Sequence, residues 1–218
     1  MSLSGHAAER TRVECVEASV RLLDTTLLRP TTFAASAGEW WSVTGPNGSG
    51  KSTLLRVLAG RASPSEGTCR VLGRPVGSSD PSHRREIASL VDSVPVASDM
   101  TLREQLGMVA ASWSGNTPAA AEDAVRLAGE LRLTHLLDRF PHELSSGQLQ
   151  LFLMSLVLVR PGQVVILDEP ERHLDSDHVK NLADILQQRC RQGATIIMAS
   201  HDSTLIDTAD RRLELNYG

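Results

Sequence analysis

The nine residues Gly45-Pro46-Asn47-Gly48-Ser49-Gly50-Lys51-Ser52-Thr53 constrain the fold more than any other stretch of the chain. Closely spaced glycines permit a tightly wrapped backbone that side-chain-bearing residues rarely adopt. Before them, Trp40 to Thr44 reads as a short strand. After them, Ser52 to Leu58 has helical spacing and stops at Gly60, a helix-ending position. A strand running through a glycine loop into a helix is the context that the pattern G-x-x-x-x-G-K-[ST] requires. Inward-pointing N–H groups and the helix N-terminus together favour a polyphosphate. Lys51 is expected on the β- and γ-phosphates as a mobile charge, and the Ser52 hydroxyl on Mg²⁺. With glycine at about 7%, a chance match is expected in roughly one chain in a hundred of this length. The motif implies nucleotide binding without choosing among nucleotide-binding families.

The rest of the chain supplies alternating elements. Val13 to Val20 alternates apolar and polar residues, Leu27 to Ala35 is β-leaning, and Thr68 to Leu72 is bounded by glycines, so the N-terminal part reads as strands. Leu102 to Ala111 and Ala119 to Leu131 read as helices separated by a breaker run, Ser112 to Pro118. Past Pro141 come an apolar helix, a buried strand Val164 to Leu167, a helix His178 to Arg191 and a buried strand Ala194 to Ala199. Buried strands alternating with helices imply a parallel sheet covered on both faces.

Two acidic residues follow the first buried strand. Four apolar residues lift Asp168 to the strand end, where a carboxylate can hold a Mg²⁺ water. Glu169, next to it, is the candidate to orient or deprotonate an attacking water, a role typically contributing ~10²–10⁴-fold. His201, at the end of the last strand, is placed to reach a γ-phosphate and hold Glu169 and the water in line. Ser145 to Gln148 open the apolar helix and form another helix N-terminus, suited to an anion.

Leu144-Ser145-Ser146-Gly147-Gln148, Val164 to Pro170, His173-Leu174-Asp175 and Ala199-Ser200-His201-Asp202 stand in an order and spacing that resemble the ABC ATPase family over nearly the whole chain. In that resemblance they are the signature, with Ser146 in place of a glycine, then Walker B, the D-loop and the switch histidine. It implies an α/β P-loop NTPase fold with a parallel-sheet core, an N-terminal antiparallel β-subdomain and a helical lobe inserted at roughly 92–148, all in one domain spanning 1–218. It further implies a Mg²⁺-dependent ATPase in which Ser145, Ser146, Gly147, Gln148 and Asp175 cap the nucleotide of a second subunit. Counting back from Met100-Thr101-Leu102, Asp92 takes the position of the usual glutamine and is carried over as a metal-facing residue. Leu22 and Leu23 stand where an aromatic normally stacks on adenine. Arg172 replaces a small D-loop residue, and Leu151 and Phe152 lie in a helix that often carries arginine.

Composition narrows the partners. A chain of 218 residues with 41% hydrophobic residues can bury a proper core, and a net charge of -4 lacks the basic footprint of nucleic-acid binding. The longest apolar stretch, Leu149 to Val159, is too short to span a bilayer, which takes ~20 residues. Met1 to Arg12 lacks the apolar region of a signal peptide. Cys15, Cys69 and Cys190 show no metal or disulfide spacing, so they are expected as reduced thiols in a cytosolic compartment. The expected role is therefore the ATP-hydrolysing subunit of an ABC transporter, a homodimer or heterodimer on the cytoplasmic face of the membrane. Separate transmembrane permease subunits would dock on it, a pattern that Pro141-His142-Glu143 also resembles. A non-transport ABC ATPase and a weakly hydrolysing regulatory module are the alternatives.

Overall fold

The computed structural model describes residues 11–78, 80–114 and 118–216. The stretch expected to carry no targeting signal, Met1 to Arg12, lies outside the described residues except at Thr11 and Arg12. Part of the breaker run lies outside them too. Three antiparallel strands, β1 (Thr11–Leu22), β2 (Thr25–Ser36) and β4 (Glu66–Val71), join the short β5 (Arg74–Pro75) in one sheet of order β2-β1-β4-β5. A second sheet holds β3 (Trp40–Thr44), β6 (Ile87–Leu90), β7 (Val164–Asp168), β8 (Thr195–Ala199) and β9 (Arg211–Glu214) in the order β6-β7-β8-β3-β9. Every pairing in it is parallel.

Side-chain alternation along these strands assigns each residue to one of two cores. Ala88, Leu90, Val165, Leu167, Ile196 and Met198 face one cluster. Ile87, Val164, Ile166, Ile197, Ala199 and Val43 face the other. The first is covered by α3 (Leu102–Ser114), α4 (Pro118–Glu130), α5 (Ser146–Leu158) and α6 (Ser176–Arg191). The second takes α1 (Lys51–Leu58) and the inner face of the antiparallel sheet. Both faces of the parallel sheet are therefore dry, which is why its strands read as apolar runs. Two short helices, α2 (Pro81–Arg85) and α7 (Ser203–Thr208), complete the α-helices among the described residues, and two 3₁₀ turns lie at Thr134–Leu136 and Pro141–Glu143. The helix expected to stop at Ala111 continues through Ser112 and Trp113, where Trp113 stacks under Arg160 at 4.1 Å, a cation–π contact invisible to local propensity.

The expectation of three reduced thiols is corrected. Cys15 and Cys69 are register partners on β1 and β4, with Cα atoms 4.2 Å apart, and are joined as a disulfide. Sequence spacing hides this, because the two lie 54 positions apart and meet only through strand pairing. Cys190 remains a free, buried thiol, and burial pushes its pKa up to about 12.

Candidate functional site

The loop from Gly45 to Gly50 depends on its glycines. Gly45, Gly48 and Gly50 have φ of 141°, 84° and 99°, the left-handed side of the map. A Cβ on Gly45 would collide with the Leu215 carbonyl, and one on Gly50 would come within 2.6 Å of the Leu27 carbonyl. Pro46 and Asn47 lie between them at the turn. Gly50 is the N-cap of α1 and no side chain caps that end, so the N–H groups of Lys51, Ser52 and Thr53 are donors of a first helical turn, without an intrahelical partner. Lys51 is only 7% exposed. Its Nζ donates to the carbonyls of Gly45 at 2.7 Å and Pro46 at 3.1 Å, closing the loop over itself. Ser49 Oγ is buried without a partner among the described residues.

Asp168 ends β7 beside this loop. Burial raises its pKa and the neighbouring charge of Glu169 adds to the rise, while a hydrogen bond from Ser52 opposes it. A desolvated carboxylate paired with a hydroxyl, next to an anion-binding loop, is a donor set that a hard dication suits. Ser52 and Asp168 therefore fit Mg²⁺, and the glycine cradle with the orphaned Ser49 hydroxyl fits the phosphates.

Glu169 has φ of 47°, a conformation uncommon for a side-chain-bearing residue. Its N–H donates to the Ala199 carbonyl at 2.9 Å, tying it to the neighbouring strand end. There Oε1 faces His201 Nε2 at 3.5 Å, both side chains about half exposed. The structure thus brings Lys51, Ser52, Asp168, Glu169 and His201 to one end of the parallel sheet, at the C-terminal ends of β3, β7 and β8, where α/β sheets bind ligands.

Asp92 is placed differently from the expectation. It follows β6 with φ of 65°, and its Oδ1 is taken by Arg56, at 2.6 Å from Nη2 and 2.7 Å from Nε. The Arg56 hydrogen bond lowers its pKa. Its charge reaches Asp168, but its carboxylate is turned to the arginine rather than joined to the Ser52–Asp168 pair.

Ser145, Ser146, Gly147 and Gln148 form the start of α5 through a capping box. Ser145 N–H donates to Gln148 Oε1 at 3.0 Å and Gln148 N–H donates to Ser145 Oγ at 3.3 Å. A Cβ on Gly147 would sit 2.7 Å from the His173 carbonyl, so this position requires glycine for close approach. Asp175 caps α6 by accepting from the Asp177 and His178 N–H groups. Ser145 to Gln148, His173 and Asp175 line one cavity of about 400 Å³, and none of Gly45 to Thr53 lines it. Leu22 and Leu23 are 63% and 92% exposed at the β1–β2 turn, whereas Leu151 and Phe152 are buried.

Two residues escaped the sequence reading. Gln150 Nε2 donates to the Pro170 carbonyl at 3.1 Å and contacts that of Glu169 at 3.5 Å, binding α5 to the segment carrying Glu169. Its signal was present, a polar residue interrupting an apolar run. Glu171 Oε1 accepts the His201 N–H at 2.8 Å, and nothing local announced it.

A strand–glycine loop–helix at the end of a parallel sheet, with a carboxylate pair and a histidine on neighbouring strand ends, defines a nucleotide-hydrolysing cassette. The ABC transporter family model matches residues 28–172. A protein of Staphylococcus haemolyticus named "Putative hemin import ATP-binding protein HrtA" is 32% identical over 199 residues, covering 89% of this chain and 90% of that protein. The macrolide export ATP-binding/permease protein MacB 1 of Aeromonas hydrophila is also 32% identical over 199 residues, but the chain spans only 30% of its length. A solved ATP-binding subunit of an ABC transporter superposes with a TM-score of 0.83 at 26% identity, covering 94% of this chain and 86% of that one. The chain belongs to the ABC transporter family, as an ATP-binding and ATP-hydrolysing subunit.

Proposed function

We propose that the chain hydrolyses ATP in composite sites formed by two cassettes stacked head to tail, and that closing and reopening of the pair drives separate membrane-spanning subunits. The observation that carries this reading is the division of the site. The phosphate-holding residues and the cavity of Ser145 to Gln148 have no residue in common, which supports a cap supplied by a second chain. Two cassettes, identical or related, are then the working unit, with residues 1–218 of each acting as one domain.

Within each composite site, Lys51 leaves its loop carbonyls for the β- and γ-phosphate oxygens, and the loop and first-turn N–H groups bind the remaining oxygens. Ser52 and Asp168 would hold Mg²⁺, which would supply neutralisation of phosphate charge when bound. Glu169 accepts a proton from the attacking water, and His201 holds Glu169 and the γ-phosphate in line. Asp92 becomes available to the metal side only by releasing Arg56. ATP favours the closed pair because only that state offers both halves of the site, and this differential affinity moves the partner. Placement on the cytoplasmic face rests on that docking role, since the disulfide withdraws the support that the cysteines lent to a reducing compartment. No helix among the described residues is long and apolar enough to cross a membrane.

Mg²⁺-dependent hydrolysis measured against chain concentration, for the wild type and Glu169→Gln, tests the proposal. Turnover per chain that rises with concentration, and a Glu169→Gln variant slowed ~10²–10⁴-fold that accumulates as an ATP-bound dimer, are expected. Turnover independent of concentration and of Glu169 would overturn it.

A further inference from the structure

We propose that Glu171 is a positioning residue for hydrolysis, its carboxylate fixing the His201 backbone so that the imidazole faces Glu169. The inference rests on the assignment of Glu169 and His201 above. Neither of those side chains is packed into a core, being 44% and 53% exposed, so their 3.5 Å approach depends on how their backbones are held.

Glu169 is held twice. Its N–H is bonded to Ala199, and the carbonyls of Glu169 and Pro170 face Gln150 Nε2. The chain then folds into a turn, in which Arg172 N–H donates to the Glu169 carbonyl at 3.1 Å and Leu174 N–H to the Glu171 carbonyl at 2.9 Å. Glu171 sits inside that turn and reaches across to His201, whose N–H it accepts at 2.8 Å. A hydrogen bond to a carboxylate is stronger than one between neutral groups. Both members of the Glu169–His201 pair are thereby referenced to one short turn, which leads through His173 directly to Gly147 of the signature.

Capping alone does not explain the choice of a carboxylate. Glu171 Oε2 is buried without a partner among the described residues, a costly arrangement when a neutral acceptor would satisfy the same N–H. The charge strengthens the one bond that aims His201.

The test uses the full chain as wild type, Glu171→Met (similar length, no carboxylate), Glu171→Ala, Glu171→Gln, His201→Ala and the double variant Glu171→Met with His201→Ala. Both kcat and KM for MgATP are measured, together with the NMR shift and exchange protection of the His201 amide without nucleotide. Loss of the carboxylate is expected to lower kcat roughly 10–100-fold, by analogy with groups that orient a metal ligand, with KM changed less than about twofold. Glu171→Gln, which keeps an acceptor oxygen but not the charge, should recover only part of the rate and protection. The double variant should be no slower than His201→Ala, because both changes remove one function. An unmoved His201 amide in Glu171→Met and Glu171→Ala overturns the proposal. So does an unchanged kcat, or a double variant slowed by the product of the single losses. If the isolated chain shows no turnover, the amide decides alone: unmoved in both variants overturns, moved and partly restored by Glu171→Gln supports. Glu169→Gln separates the two levels, since turnover that survives it removes the underlying site assignment, whereas turnover lost in it but intact in Glu171→Met removes only the role of Glu171.

Discussion

Asp168 and Asp92 share the influence of one arginine, yet their surroundings push them in opposite directions. Burial raises the pKa of Asp168, so the folded chain binds that proton more tightly than the unfolded chain. Between the ordinary aspartate range and the raised value, stability therefore falls as pH increases. Asp92, whose pKa is lowered by Arg56, behaves the other way. Its contribution is present above the ordinary range and is lost as pH falls through the lowered value. Asp168→Asn should accordingly raise the melting temperature of the nucleotide-free chain at neutral pH, remove the first of these slopes, and abolish stabilisation by MgATP beyond that by ATP. Melting curves across the pH series check all three. Arg56→Ala should cost only about 0.2–1 kcal/mol, since the pair is partly exposed. An Arg56→Ala chain melting within a few degrees of wild type, with the Asp92 contribution to the low-pH loss removed, is the expected result.

At the scale of elements, the start of α5 carries a strict geometric demand. Alanine is a better helix former than glycine by roughly 1 kcal/mol, so propensity alone predicts that Gly147→Ala stabilises the chain. The His173 carbonyl, 2.7 Å from the added Cβ, opposes this and forces the two segments apart. Gly147→Ala is expected to lower turnover at least tenfold through misplacement of the cap, with ATP affinity of the single chain unchanged, as nucleotide titration would show. The elements themselves were legible. Trp40 to Thr44 is a strand at the bounds expected, and Val164 to Leu167 extends only to Asp168, because dry strands and glycine boundaries leave strong local marks. Lys51, Ser52, Asp168, Glu169 and His201 were legible for a related reason, each standing at an element end that its own pattern predicts. Contacts between distant segments left no such marks. Arg56 with Asp92, Glu171 with His201 and Cys15 with Cys69 are set by register and topology, which the sequence encodes only through the assembled fold.

For the whole molecule, the disulfide closes a loop with a sequence separation of 54. Loop-closure entropy makes such a link worth about 4 kcal/mol, or roughly 10 °C in a chain of this size. Melting with and without reductant measures that difference directly. Alkylation of the denatured chain should label Cys190 alone without reductant and all three cysteines with it. The loop also sorts the functional residues into two topological groups. The phosphate-cradling segment, its feeding strand and α1 all lie between Cys15 and Cys69, threaded on a covalent ring. Asp168, Glu169 and His201 lie on the open tail. The part that grips the substrate and the part that activates water thus sit on pieces of chain with different tethers. Reduction is therefore expected to shorten how long ATP stays before it alters how fast it is cut, since only the cradle lies within the ring, and nucleotide release timed with and without reductant checks it.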